Sequence, residues 1–224
     1  MMTKIPLRNK ELIRHLDKFH KFRTDYVDLL SPTDQDLDGK WYTGEEYLKI
    51  IRDMKVAHDG FPEKIYSHSF QHSQTRLNPD AKDAHKRIPE MNDYYNRVLS
   101  DISRTYCWKH TALATIYPPG GFISWHNNAN APGHNLIFTW SEKGDGWFKY
   151  WDPKKEEIVT MQDEPGWNAK MGYFGSYSDG WDNICYHAAY APEAYRMTIS
   201  FVYATDERST IFRDMLVEEM QYEE

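Results

Sequence analysis

Cysteine is nearly absent: Cys107 and Cys185 are the only 2 in 224 residues. Two thiols cannot staple a disulfide scaffold, so both are expected to be buried and inert, in a reduced, cytoplasmic setting. Long apolar runs are missing as well. No stretch reaches the roughly 18 apolar residues of a membrane-spanning helix, and the opening MMTKIPLRNKELIRHLDKFH has no apolar segment of signal-peptide length. There is no cluster of basic residues, and the net charge is −7. That balance argues against tight binding to a nucleic-acid backbone, although a local basic groove stays open. Internal repeats and low-complexity stretches are also lacking.

Aromatic residues are plentiful, at 15% of the chain. With a low mean hydropathy, this places much of the apolar burial on Trp, Tyr and Phe. The length suits one domain with its own core. Texture divides it into a helical brace over 1–105, a β core over 106–205 and a C-terminal helix and tail over 206–224. In the first part, Leu12, Ile13, Leu16, Phe19, Phe22, Tyr26, Leu29 and Leu30 recur at helical spacing. Thr43 and Glu46 read as a capping box opening a helix to about Val56. A further helix is expected from about Pro89, with Met91, Tyr94, Tyr95, Val98, Leu99 and Ile102 facing inward. After Tyr106 short β-rich runs alternate with turn residues. Strands are expected at Lys109–Tyr117, Phe122–His126, His134–Ser141, Gly146–Trp151, Glu157–Met161, Asn168–Phe174, Ile184–His187 and Tyr195–Tyr203. Eight such strands imply an antiparallel sandwich or barrel braced by the helices.

Three features of the β half belong together. His126 and Asn128 lie at a strand end, where alternate residues of an extended chain share a face. His187 lies further on, and Arg196, Thr198 and Ser200 alternate along the last strand. A guanidinium beside a hydroxyl suits a carboxylate, to which it can give two parallel charge-assisted hydrogen bonds. Two His and a third ligand on one side of a metal, with open positions opposite, is the arrangement of non-haem iron(II) oxygenases.

On these residues Trp108–Tyr203 resembles the double-stranded β-helix of the iron(II)/2-oxoglutarate-dependent oxygenases, in particular the prolyl-hydroxylase-like branch. IYPPGGFISWHNN resembles the branch's Tyr-x-x-Gly-Gly…His-x-Asp segment. LIFTWSEKGDGWFKYWDP resembles the strand pair that follows, and YHAAYAPEAYRMTISFVY the closing His…Arg-x-Ser segment, with Thr198 at the Ser position. The chain also resembles small proteins of this type from tailed phages of marine bacteria, in which a similar Trp-His-x-Asn is expected. The resemblance implies that His126 and His187 ligate Fe(II). It implies that Arg196 clamps the distal carboxylate of 2-oxoglutarate, with Thr198 and Tyr117 hydrogen-bonding it. O2-dependent hydroxylation of an unknown substrate would follow, a peptidyl side chain or a small molecule, with a modified nucleobase also open.

Asn128 departs from the pattern, because its amide oxygen is a neutral and weaker ligand than a carboxylate. Three readings stay open. Asn128 ligates through its carbonyl oxygen; or water, a halide or nothing takes that position; or the fold is kept while the site is inactive or binds another ligand. Metal affinity is expected to be lower than at a His-x-Asp site, and to fall below about pH 6.5 as imidazoles protonate. The rival function is a non-catalytic β-barrel module holding a carboxylate or peptide. Asn127, Asn128 and Asn130 also suit a plain turn. His110 and His134 are expected to be structural, and His68 and His72 solvated or packing. Trp125, Trp140, Trp147, Phe148, Trp151 and Trp167 are expected in the core or a pocket wall.

Overall fold

A computed structural model describes residues 2–53, 59–71, 75–106, 111–128, 132–180 and 183–223. Cys107, His110, His72, Asn130 and the expected helix end at Val56 lie outside them. In the first half, strand β1 (Met2–Ile5) is followed by helices α1 (Lys10–Asp17), α2 (His20–Asp25), α3 (Gly39–Tyr42) and α4 (Glu45–Asp53). Strands β2 (Ile65–Tyr66) and β3 (His68–Ser69) and helix α5 (Ala84–Tyr106) complete it. The start of α1 is fixed by Asn9, whose side chain accepts from the Leu12 N–H at 2.8 Å, satisfying one of the donors a helix start leaves unpaired. Helix α5 begins five residues before the expected Pro89. Proline favours a first turn, but the buried Ala84 carries the helix further back.

The β half holds β4 (Thr111–Tyr117), β5 (Gly121–His126), β6 (Gly133–Ser141), β7 (Trp147–Asp152), β8 (Glu157–Gln162), β9 (Gly166–Phe174), β10 (His187–Ala191) and β11 (Arg196–Tyr203), before helix α6 (Glu207–Glu219). The strand expected at Ile184–His187 instead begins at His187. The alanine-rich run HAAYA, with little intrinsic strand preference, becomes strand because β5 and β7 pair it on both sides, and such pairing overrides local propensity.

The strands form two antiparallel sheets, one ordered β1-β9-β6-β11-β4-β3 and one β2-β5-β10-β7-β8. From β4 to β11 the chain crosses between sheets at every step except β7 to β8. This winding is a double-stranded β-helix, mainly β with helices added. The strands β1, β2 and β3 from the first half extend both sheets. Among the described residues no helix is long and apolar enough to cross a membrane.

Register decides what each face carries. On the six-stranded sheet Ala114, Ile116, Leu136, Phe138, Ala169, Met197, Ile199 and Phe201 point outward. There they pack with Leu12, Leu16, Phe19, Phe22, Val98 and Ile102 of the helices. The inward rows are mostly polar: Tyr117, Arg196 and Ser141, then Thr115, Thr198 and Thr139, then Ser200 and Lys170 with the apolar Leu113 and Ile137. Across the gap the five-stranded sheet answers with apolar Ile123, Phe148, Tyr150, Met161 and Ala189.

Candidate functional site

His126 ends β5 and His187 begins β10, and the ladder pairs them directly. Their ring centroids are 4.0 Å apart, and both residues are buried. Each Nδ1 lies 2.8 Å from a backbone oxygen two residues earlier, Ser124 O for His126 and Cys185 O for His187. A carbonyl can only accept, so each Nδ1 must carry the proton and each Nε2 the lone pair. That is the tautomer and outer support a metal-ligating imidazole uses. Burial, and then the neighbouring His126, hold His187 well below the usual imidazole range. His187 therefore stays neutral to lower pH than an unperturbed histidine. Phe174 and Phe148 wall the ring, with centroids 4.4 and 5.5 Å away.

Asn128 follows beyond the strand end. Asn127 donates its N–H to Gly60 O at 3.1 Å, and Asn128 turns to φ 60°, a left-handed conformation that Asn tolerates better than most residues. The rule that residues two apart share a face therefore stops at His126. The direction of Asn128 is set by the turn. Among the described residues no group of three His, Cys, Asp or Glu could hold a metal. The donor set on offer is two imidazoles plus at most a neutral amide, which fits a divalent transition metal more weakly than a set with a carboxylate.

Deeper between the sheets lies a charged cluster. The Arg196 guanidinium donates from Nε to Asp163 Oδ2 at 2.7 Å, from Nη1 to Thr198 Oγ1 at 2.7 Å and from Nη2 to Thr139 Oγ1 at 3.3 Å. Tyr117, its ladder partner on β4, sets its ring 5.5 Å from the guanidinium carbon. Lys170, on β9, donates to Asp163 Oδ1 at 3.0 Å. Burial alone would raise the Asp163 carboxyl, but Arg196 and Lys170 outweigh it and hold Asp163 below the usual carboxylate range. Gly146 makes room for the cluster, since a Cβ there would come within 2.9 Å of Arg196 Cδ and 3.1 Å of Asp163 Oδ2. Two buried oxygens of this region, Tyr117 Oη and Thr115 Oγ1, have no hydrogen-bond partner among the described residues, and burial pushes the Tyr117 phenol up to about 12. Orphan polar atoms in an enclosed space weaken a core and are expected where a ligand belongs. The Phe148 ring joins the two groups: its centroid is 5.5 Å from the His187 ring and 5.5 Å from Lys170 Nζ.

No family model matches the chain, and no curated protein matches it by sequence. Solved structures resemble it in shape. A prolyl-4-hydroxylase from Pseudomonas putida aligns at 9% identity and a TM-score of 0.35, covering 84% of this chain and 97% of its own. A Trichoplax adhaerens prolyl hydroxylase in complex with a hypoxia inducible factor peptide fragment gives 12%, 0.34, 91% and 93%. A ribosomal oxygenase from Escherichia coli gives 14%, 0.32, 88% and 55%. At these identities and TM-scores the likeness adds nothing to the site, whose reading stands on its own geometry.

The remaining candidates resolve into packing. His68 Nδ1 donates to Leu30 O at 2.9 Å. His134 packs on Tyr173 with centroids 5.2 Å apart. Burial pushes the Cys185 thiol up to about 12, so it is inert at neutral pH. Trp125 is fully buried beside α4 and donates its Nε1–H to Gly44 O at 3.0 Å. Trp140 and Trp167 pack against the helices, where His20 contacts both rings. Trp147 packs on Tyr190, and Arg52 lies 3.9 Å from the centroid of the Trp151 ring. Of the aromatics expected in the core or a pocket wall, Phe148 lines the space between the sheets. Lys170 and Asp163 are the residues that pattern reading passed over.

Proposed function

We propose that this protein is an iron(II)- and 2-oxoglutarate-dependent dioxygenase that hydroxylates a peptidyl residue or a small molecule. One observation carries the reading: two buried imidazoles with paired Nδ1 support and a buried, forked guanidinium lie between the same two sheets, with the Phe148 ring against both groups. His126 and His187 would hold the metal, with Asn128 as a neutral third donor. Arg196 would take the distal carboxylate of 2-oxoglutarate, helped by Thr198 and by the Tyr117 hydroxyl. Bound iron(II) would supply the oxygen chemistry that side chains lack, coupling decarboxylation of 2-oxoglutarate to substrate oxidation. The chain's own part is binding, orientation and exclusion of water. Ser124 O and Cys185 O fix the ring tautomers, Asp163 fixes the guanidinium, and Phe148 and Phe174 close the space around His187.

A second reading has its own support. The missing carboxylate at position 128 favours a module that keeps the carboxylate seat and has lost the redox chemistry. An anaerobic mixture with iron(II) and 2-oxoglutarate separates the two. The oxygenase reading expects a weak visible charge-transfer band and thermal stabilisation by the metal. Absence of both, with 2-oxoglutarate still bound, would establish the module.

A further inference from the structure

Two cations answer to one carboxylate between the sheets. Lys170 and Arg196 both bind Asp163, and the three side chains are at most 1% exposed. One positive charge is therefore left over in a space closed to water, where an unmatched charge is costly. The surplus has a location. Arg196 Nη2 and Lys170 Nζ approach the same atom, Thr139 Oγ1, at 3.3 and 3.4 Å. These contacts are longer than the roughly 2.7–2.9 Å of a charge-assisted bond to an anionic oxygen. A neutral hydroxyl is a poor acceptor for two cations at once. Beside it stand Thr198 Oγ1, already bound to Arg196, and the unpartnered Tyr117 hydroxyl.

We propose that Lys170 is a second anchor for the end carboxylate of a dicarboxylate. The carboxylate would sit beside Thr139 between Lys170 and Arg196, and Asp163 is the fixed counter-ion that limits the seat to a singly charged head group. The identity of the dicarboxylate rests on the oxygenase reading above; the second anchor and the charge limit go beyond it. Carboxylates match the one surplus charge, whereas a dianion such as sulfate would leave a buried negative charge in its place.

Lys170 also makes the seat sensitive to pH. It is faced by Asp163 from the segment after β8, by Arg196 from β11, by Thr139 from β6 and by the Phe148 ring from β7, with Lys4 opposite on β1. Burial pulls its ammonium down to about 8 against the pull of Asp163. Asp163 lies below the usual carboxylate range and Tyr117 at about 12, so neither changes charge between pH 7 and 9. Below about 8 the cluster carries one net positive charge; above it the cluster is neutral. Dicarboxylate affinity should therefore fall about tenfold from pH 7 to pH 9.

Calorimetric titration of glutarate into the full chain, without metal, tests this. Wild type should bind and lose about tenfold by pH 9, Lys170→Met should bind at least tenfold more weakly at pH 7, and inorganic sulfate, a dianion at both pH values, should not compete. Lys170→Arg carries a charge that does not titrate, so it should hold glutarate equally at both pH values, which keeps the test valid if the Met variant fails to fold. Wild-type affinity and pH dependence in both Lys170 variants would overturn the proposal. If glutarate then still depended on Arg196, tested as Arg196→Met, the oxygenase reading would survive without the second anchor. No glutarate binding by wild type at any pH would sink both. Competition by sulfate would overturn the charge limit.

Discussion

The six-stranded sheet carries opposite chemistries on its two faces. Outward, Phe138, Ile199 and Phe201 press into the helices as an ordinary core. Inward, a row of three threonines, a lysine and an arginine are just as buried. Apolar burial stabilises at about 25 cal/mol per Å², whereas a buried hydroxyl or charge contributes little even when paired and costs when it is not. A sheet under selection for stability alone would not spend one face on hydroxyls and ions. The outward face therefore holds the fold together, and on the proposed function the inward face gives up stability for binding. Each substitution below is a way to break or sharpen that division.

The largest effect belongs to the outward face. Phe138→Ala should cost about 3–5 kcal/mol in denaturant unfolding, because its fully buried ring packs within the helix-facing cluster. A loss below about 1 kcal/mol would mean that the helices are not what the sheet rests on. Next comes His187→Ala. It should weaken binding of iron(II) or manganese(II) by more than the roughly ten- to hundredfold that loss of an outer-shell partner costs. Its unfolding free energy should change less than that of Phe138→Ala. Metal affinity equal to wild type would remove His187 from the metal site and the inward face from metal chemistry.

The same division explains what could be read from the chain. The strands between Tyr106 and Tyr203 announce themselves through turn residues, and the helices through 3.6-residue spacing, because both signals are local. His126, His187, Arg196 and Thr198 stand out by residue type and order, and Tyr117 enters through the family resemblance. Lys170 does not. In GWNAKMGYF the apolar positions Trp167, Ala169 and Met171 alternate with Asn168, Lys170 and Gly172, and such a strand reads as apolar-in, polar-out. The helices cover the outer side, so the apolar set faces the helices and the lysine faces inward. Nothing local states which side a helix will cover. Asp163 is hidden differently: QDEPGW reads as a turn, and its partners lie 7 and 33 residues away. Asn128 shows the limit of the alternation rule, which fails where β5 ends and φ turns positive.

Asn128→Asp gives the third effect. If position 128 contributes to the metal, replacing the amide oxygen with a carboxylate should tighten iron(II) binding about tenfold, near 1.4 kcal/mol. An unchanged affinity in an otherwise intact protein would point the side chain away from the metal. The inward face would then offer two imidazoles only.

The smallest effect is the sharpest test, since it uses adjacent residues of one strand. On β4, Ile116 faces the helices and Thr115 faces the gap, and both are at most 1% exposed. Ile116→Val removes one methylene from a packed core and should cost about 0.5–1.5 kcal/mol. Thr115→Val replaces a buried hydroxyl that has no partner among the described residues with a methyl group of similar size. Removing an orphan acceptor should leave stability unchanged or raise it by up to about 1 kcal/mol. The two changes should therefore move the unfolding midpoint in opposite directions, or at least by clearly different amounts. If both lower it equally, Thr115 is ordinary core, and the polar inward face loses its claim to exist for a ligand.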